Sequence, residues 1–309
     1  MRLVAVVGPT ATGKSALGLA LAERFQGEIV ACDSTAVYRG IDIGTDKVPL
    51  SEQRGVPHHL VNVAEPTETY SAARYARDAS TAIRAIAAGG RLPILAGGTG
   101  FYYRALVRGL FPGPERDDGL RARLERVADR RGVEALHRWL VKVDGPSGAR
   151  IQPRDRKRLV RALEVYLLTG RSLTSHFEQT VSPIAGTDVL TIGLDMPRPD
   201  LRARVTRRVD QQFDTGVIAE VERLLAGGLP AQAHAFSGLV YRQVIEMLAG
   251  VRDERATREL VVQENMRYAR RQLVWFRKEA GVHWLPGPGE SDAALAAASA
   301  LVSSFLTVR

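Results

Sequence analysis

The stretch GPTATGKS, residues 8–15, decides how this chain is read. It matches the pattern G-x-x-x-x-G-K-[ST], with an apolar run (RLVAVV, residues 2–7) before it and a helical pattern (SALGLALAERF) after it. In that strand–loop–helix setting the glycines let backbone N–H groups turn inward around phosphate oxygens. Gly8, Pro9, Thr10, Ala11, Thr12 and Gly13 supply the loop. Lys14 adds a point charge, and the Ser15 hydroxyl is placed to reach Mg²⁺, the expected cofactor. The loop specifies phosphate without specifying its owner. A hydrolysed nucleotide, a kinase donor and a diphosphate leaving group all fit.

Two further strands follow the same logic. GEIVACDS (27–34) ends in two polar residues, and RLPILAGGTG (91–100) ends in glycines. Between them, residues 70–90 have helical spacing and stop at Gly-Gly. This alternation predicts an α/β fold, a P-loop NTPase-like doubly wound parallel sheet. Such sheets bind ligands at the carboxyl ends of their strands. Gly8–Ser15, Asp33–Ser34 and Gly97–Gly100 all fall at such ends. From about Pro112 the character changes. PGPERDDG reads as a linker, and residues 119–142 and 154–170 read as helices. A strand returns at 187–196, helices dominate thereafter, and GVHWLPG reads as a last short strand before an Ala-rich helix. The expected organisation is a core of residues 1–113 and 187–309, interrupted by a helical insertion domain at 114–186.

Composition narrows the setting. The 309 residues are 45% apolar and 25% charged, ordinary for a globular protein. No apolar run approaches the ~20 residues that cross a bilayer. There is no signal-peptide layout, and a single cysteine, Cys32, excludes internal disulfides and a cysteine-based zinc site. A cytoplasmic protein with no membrane partner is expected. The net charge of +9 is compatible with a polyanionic partner. Only five of the 43 basic residues are Lys, so an Arg-favouring genome explains it equally well.

Other residues have a plain reading beside a chemical one. Asp33 and Ser34 are a turn or cap in the plain reading; in the other, Asp33 is a carboxylate facing the phosphate site, a general base or a water-mediated Mg²⁺ partner. GGTG (97–100) lacks a lysine and so is no second nucleotide loop; Thr99 either tightens a turn or reaches a substrate. His58 and His59 lack partners at metal-ligand spacing and read as structural. In RDRKRLVRALEVYLLTGR, Arg154, Arg158 and Arg161 recur at helical spacing with Lys157 adjacent. They form either a solvated face or an RNA-backbone contact. NMRYARRQLVWFRK (265–278) interleaves Arg267, Arg270, Arg271, Arg277 and Lys278 with Tyr268, Trp275 and Phe276, a mixture suited to unpaired nucleic acid.

Taken together, these stretches resemble the tRNA dimethylallyltransferases, which prenylate N6 of the adenosine immediately 3′ of the anticodon. The resemblance runs through GPTATGKS, DSTAVYRGIDIGT (33–45), PHHL (57–60), YSAARYARDA (70–79), GGTGFYYRAL (97–106), RDRKRLVRALEVYLLTG (154–170), VIAEVERLL (217–225), GLVYRQV (238–244) and RYARRQLVWFRK (267–278), in matching order. It implies that the loop holds the diphosphate of dimethylallyl diphosphate, with Arg204 or Arg208 gripping it. It further implies that Asp33 takes the amino proton, and that Thr99 lies beside the reacting adenine. It places the tRNA anticodon stem-loop against Asp33, Ser34, Thr35, Ala36, Thr99, Arg121, Lys157, Arg158, Leu159, Val160, Arg161, Tyr241, Arg242, Arg267, Arg270, Arg271 and Arg277. A monomer is expected. The chain departs from the family's usual pattern around IGTDKV and at GLVYRQ. The main alternative is a small-molecule kinase using ATP, with Asp33 activating a hydroxyl. An ATP-driven nucleic-acid-binding protein would need a hydrolytic carboxylate on an apolar strand, and LTIGLDM ends in a lone Asp195.

Overall fold

β1 (Arg2–Val7) is the axis of the computed structural model, which describes residues 1–307. Its residues from Leu3 to Val7 are fully buried, as a strand covered on both faces must be. It turns through the Gly-rich loop into α1 (Lys14–Arg24), then β2 (Gly27–Ala31), the two-residue β3 (His58–His59), α2 (Ala72–Ala88), β4 (Leu92–Gly97) and α3 (Gly100–Val107). The Ser71 hydroxyl accepts from the Arg74 N–H and caps α2.

Contacts divide the chain into two units, and the second begins here, at Val107–Pro183. It contains α4 (Asp118–Arg131), α5 (Val133–Val143), α6 (Gly145–Arg150), α7 (Arg156–Thr169) and α8 (Leu173–Phe177). Residues 119–142 are therefore two helices, broken where Gly132 takes φ 79°. Leu120, Leu124, Leu136, Leu140, Leu159 and Leu163 close a core of their own. The unit starts and ends earlier than 114–186. Phe111 packs edge-on to Phe177 at 5.3 Å, so the segment before the Pro-rich linker already belongs to the helices.

The first unit resumes with β5 (Asp188–Asp195), α9 (Arg198–Thr215), α10 (Val217–Ala226), α11 (Leu239–Leu248), α12 (Glu254–Phe276), β6 (Val282–Pro286) and α13 (Asp292–Thr307). The six strands run in the order β3-β2-β4-β1-β5-β6, every pairing parallel. Crossover helices are what parallel pairing requires. Leu17 and Leu21 of α1 and Ala298 and Val302 of α13 share a core with Val4, Val6, Ile94 and Ile192 of the sheet. The Tyr75 hydroxyl of α2 donates to the Ala31 carbonyl at 3.0 Å, and Tyr103 of α3 bonds Thr191 at 2.8 Å. Because β4 lies between β1 and β2, the carboxyl ends that carry Gly8, Gly97 and Asp33 are neighbours. Among the described residues no helix is long and apolar enough to cross a membrane.

Leu163 is fully buried in the helical unit's core. Leu163→Ala is expected to destabilise that unit by about 2–5 kcal/mol in chemical denaturation followed by circular dichroism; a change within experimental scatter would contradict this packing.

Candidate active site

The loop between β1 and α1 is held from inside and outside. Gly13 caps α1 in the left-handed region (φ 86°), which aims the first free N–H groups of the helix into the loop. The Thr12 hydroxyl and the Lys14 ammonium both donate to the Pro9 carbonyl, at 2.9 and 2.5 Å. From α9, Arg204 Nε donates to the Ala11 carbonyl at 2.7 Å and Arg208 Nη1 to the Thr10 hydroxyl at 2.8 Å. The Gln272 side chain of α12 accepts from the Thr10 N–H at 2.8 Å and donates to the Gly98 carbonyl at 2.9 Å.

A cleft of about 370 Å³ opens beside this loop, lined among others by Thr10, Lys14, Ser15, Asp33, Arg208 and Tyr268. Asp33 is half-buried. Its Oδ1 accepts from the Thr35 N–H (2.8 Å), the Thr35 hydroxyl (2.7 Å) and the Ala36 N–H (3.2 Å). One oxygen thus fixes the turn, as the plain reading had it, and Oδ2 remains for the cleft. Ser34 donates its N–H to the Thr99 hydroxyl at 3.1 Å, which ties the ends of β2 and β4. The Tyr268 phenol lies against Thr99; burial, with Asp33 adding, pushes it up to about 12, so it stays a neutral donor. Burial, and secondarily the Arg208 charge, lower Lys14 to about 7, against the opposing pull of Asp33. Cys32 is pushed up to about 12 by burial, which removes it as a nucleophile.

Arg204 and Arg208 differ in placement. Arg204 is spent on Ala11 and on Glu290 (2.6 Å). Arg208 lines the cleft and pairs with Asp46. Asp46 sits in a loop whose Asp42 and Ile43 N–H groups donate to Glu220 at 2.9 and 3.0 Å. Glu220 and Gln272 are site-shaping residues that sequence reasoning passed over. Both are polar residues buried in helices, and that mismatch was the available signal.

The residues assigned to tRNA divide sharply. Leu159 and Val160 are 0% and 2% exposed in the helical unit's core, so their side chains are not available to an RNA; α7 turns them inward while Lys157 and Arg158 stay exposed. Tyr241 is also fully buried, donating to Glu220 at 2.7 Å and accepting from the Gly44 N–H at 3.0 Å. Its role is to hold the loop that carries Asp46. Arg121 makes a two-pronged bond to the buried Glu164 (2.8 and 2.9 Å), and Arg161 joins at 2.7 Å. These bonds overcome the burial that would raise Glu164 and bring it down to about 2. Arg242, Arg267, Arg270, Arg271 and Arg277 are exposed. Arg242 is paired with Glu264 at 3.1 Å and Arg277 with Asp195 at 2.8 Å. Arg271 lines the cleft above the Tyr268 ring.

His58 and His59 are structural, bonding the Val56 carbonyl (2.9 Å) and Glu28 (2.7 Å). Among the described residues no group of three or more His, Cys, Asp or Glu side chains could hold a metal. The donor set still fits Mg²⁺, which takes one or two protein oxygens and completes its shell with substrate phosphates and water. Ser15, on the cleft, would be such an oxygen, with Asp33 reaching the ion only through water. Neither strand beside β1 offers a hydrolytic carboxylate, since β4 ends in glycine and Asp195 of β5 is engaged by Arg277.

Residues 36–279 match the family model described as IPP transferase. The chain is 44% identical to the tRNA dimethylallyltransferase of Koribacter versatilis, over 98% of both chains. It superposes on the tRNA isopentenylpyrophosphate transferase of Bacillus halodurans with TM-score 0.72 and 36% identity, covering 99% of this chain and 95% of that one. With a eukaryotic dimethylallyltransferase described as acting on tRNA, the TM-score is 0.81 at 25% identity, over 99% of this chain and 79% of that one.

Lys14 loses its proton near pH 7 in the ligand-free protein, so its cationic form prevails below that value. Calorimetric affinity for inorganic diphosphate is expected to fall as pH rises through 7. Lys14→Arg, charged throughout, is expected to show only the titration of the ligand itself. Identical profiles for the two proteins would contradict the shift.

Proposed function

The chain belongs to the IPP transferase family, and from that premise we infer the reaction its cleft supports: a tRNA dimethylallyltransferase, moving a dimethylallyl group from dimethylallyl diphosphate to N6 of the adenosine immediately 3′ of the anticodon. The observation that carries this reading is the pairing of Asp33, with one carboxylate oxygen left for the cleft, and the cationic loop containing Lys14, with Arg208 beside it.

The diphosphate lies in the Gly8–Ser15 loop. The bond between the allylic carbon and the diphosphate oxygen breaks, and its electron pair leaves with the diphosphate. Backbone N–H groups, Lys14 and Arg208 stabilise that charge as it develops. Mg²⁺, held through Ser15 and substrate oxygens, would add to this stabilisation. Adenine N6 is a weak nucleophile because its lone pair is delocalised into the ring. As the new N–C bond forms, Asp33 accepts the N6 proton, with Thr99 and Tyr268 beside it. The base must leave the loop's stack to reach this position. One chain contains all of these groups, which supports a monomer as the working unit, and a tRNA substrate is consistent with a cytoplasmic setting.

Incubation with dimethylallyl diphosphate, Mg²⁺ and unmodified tRNA, followed by nucleoside analysis, is expected to give N6-prenyladenosine. Asp33→Asn is expected to lower kcat about 10²–10⁴-fold while tRNA binding persists. No prenylated product, together with ATP-dependent phosphorylation of a small acceptor, would favour the kinase reading instead.

For the helical unit, the exposed pair Lys157 and Arg158 is expected to meet RNA phosphates. Replacing both by Ala is expected to flatten the salt dependence of tRNA binding, with a slope smaller by about 0.7–0.9 for each phosphate that is no longer neutralised. An unchanged slope would make them solvated surface. Arg161→Ala is expected to act chiefly on the stability of the unit, by removing one of the two guanidinium groups that bond the buried Glu164.

A further inference from the structure

Buried polar side chains hold loops of the first unit: Glu220 and Gln212 both bond the loop at residues 42–46, and Gln272 bonds two others. Only Gln272 joins the two loops that hold the two reactants. Its Oε1 accepts from the Thr10 N–H at 2.8 Å, on the phosphate loop after β1. Its Nε2 donates to the Gly98 carbonyl at 2.9 Å, on the turn after β4. Thr10 offers a donor there and Gly98 an acceptor, so only one orientation of the amide satisfies both. The side chain is 6% exposed, with no room to drift: a methyl group on Gly98 would sit 2.2 Å from Nε2.

Each anchored residue also positions a group of the reaction. The Thr10 hydroxyl accepts from Arg208, so the loop and its guanidinium are placed together. Gly98 precedes Thr99, whose hydroxyl accepts the Ser34 N–H next to Asp33. One amide therefore spans the leaving-group side and the proton-accepting side of the cleft. It does so from α12, which also lines the cleft with Asn265, Tyr268 and Arg271.

We propose that Gln272 is a positioning residue that fixes the separation between the diphosphate-binding loop and the adenine-facing turn. It sets the distance across which the prenyl group travels. Reactants held in near-attack geometry account for a large part of such a rate enhancement, and a misplacement of about 1 Å can cost 10²-fold. The proposal rests on the tRNA dimethylallyltransferase reading.

The test compares wild type, Gln272→Glu and Gln272→Met in one steady-state assay with dimethylallyl diphosphate and tRNA, each rate normalised to folded protein. Gln272→Glu keeps the bond from the Thr10 N–H but sets a carboxylate oxygen against the Gly98 carbonyl; Gln272→Met removes both bonds at similar volume. Both are expected to lose about 10²-fold in kcat, with the dissociation constant for tRNA within about threefold of wild type. Should the Met variant fail to fold, the Glu variant decides. Wild-type kcat in either variant overturns the proposal, as does a loss confined to KM for tRNA, which would make Gln272 an RNA contact. An inactive wild type would instead count against the reaction assigned to the cleft, so the two failures are told apart.

Discussion

A methyl group on Gly97 would sit 2.2 Å from the Cys32 carbonyl oxygen, closer than non-bonded atoms approach. This close approach of β4 to the backbone at the end of β2 is the constraint behind the rest of the cleft. With the backbones so close, the Thr99 N–H reaches the Cys32 carbonyl at 3.1 Å and the Ser34 N–H reaches the Thr99 hydroxyl. Asp33 lies between those two contacts and has little freedom to leave. A side chain at 97 would part the strands, and the carboxylate would move away from the phosphate loop with them. The chemistry thus depends first on a position without a side chain.

The second organising feature is the balance of charge in the cleft. Lys14 and Arg208 stand together where burial works against both cations. In the ligand-free protein, carboxylates supply the compensation: Asp46 pairs with Arg208, and Asp33 favours the charged form of Lys14. The diphosphate of the proposed donor would bring more negative charge than either carboxylate, and would meet cations already oriented by partners it could replace. Glu220 and Tyr241 hold the loop that bears Asp46, which keeps this arrangement from collapsing before the substrate arrives.

Much of this was legible in the sequence because parallel strands announce themselves. An apolar run, a Gly-rich turn and a helical pattern have few other uses, and β1, β2, β4 and β5 fell where those signals stood. The break at Gly132 was hidden because apolar spacing continues on both sides of it. β3 is too short to carry a period. The expected RNA face was legible only by stretch. Resemblance assigns contiguous runs, whereas a helix sends neighbouring residues in opposite directions, so Leu159, Val160 and Tyr241 were grouped with the exposed cations beside them. Arg121 and Arg161 were read as free charges because their shared carboxylate, Glu164, was not weighed against them. Gln272 escaped for a different reason: it is uncharged, and its partner Thr10 lies 262 positions away.

Cys32 adds a property of another kind. The thiol is wholly buried at the end of β2, beside Asp33, and it holds its proton to about pH 12. A thiol in that state is almost inert to oxidants and alkylating reagents, because the reactive species is the thiolate. The chain thus carries one silent thiol at the hinge of its cleft and no other cysteine to compete with it. Its rate of modification would register how often the ends of β2 and β4 separate, a native clock for local opening at the place where the enzyme works.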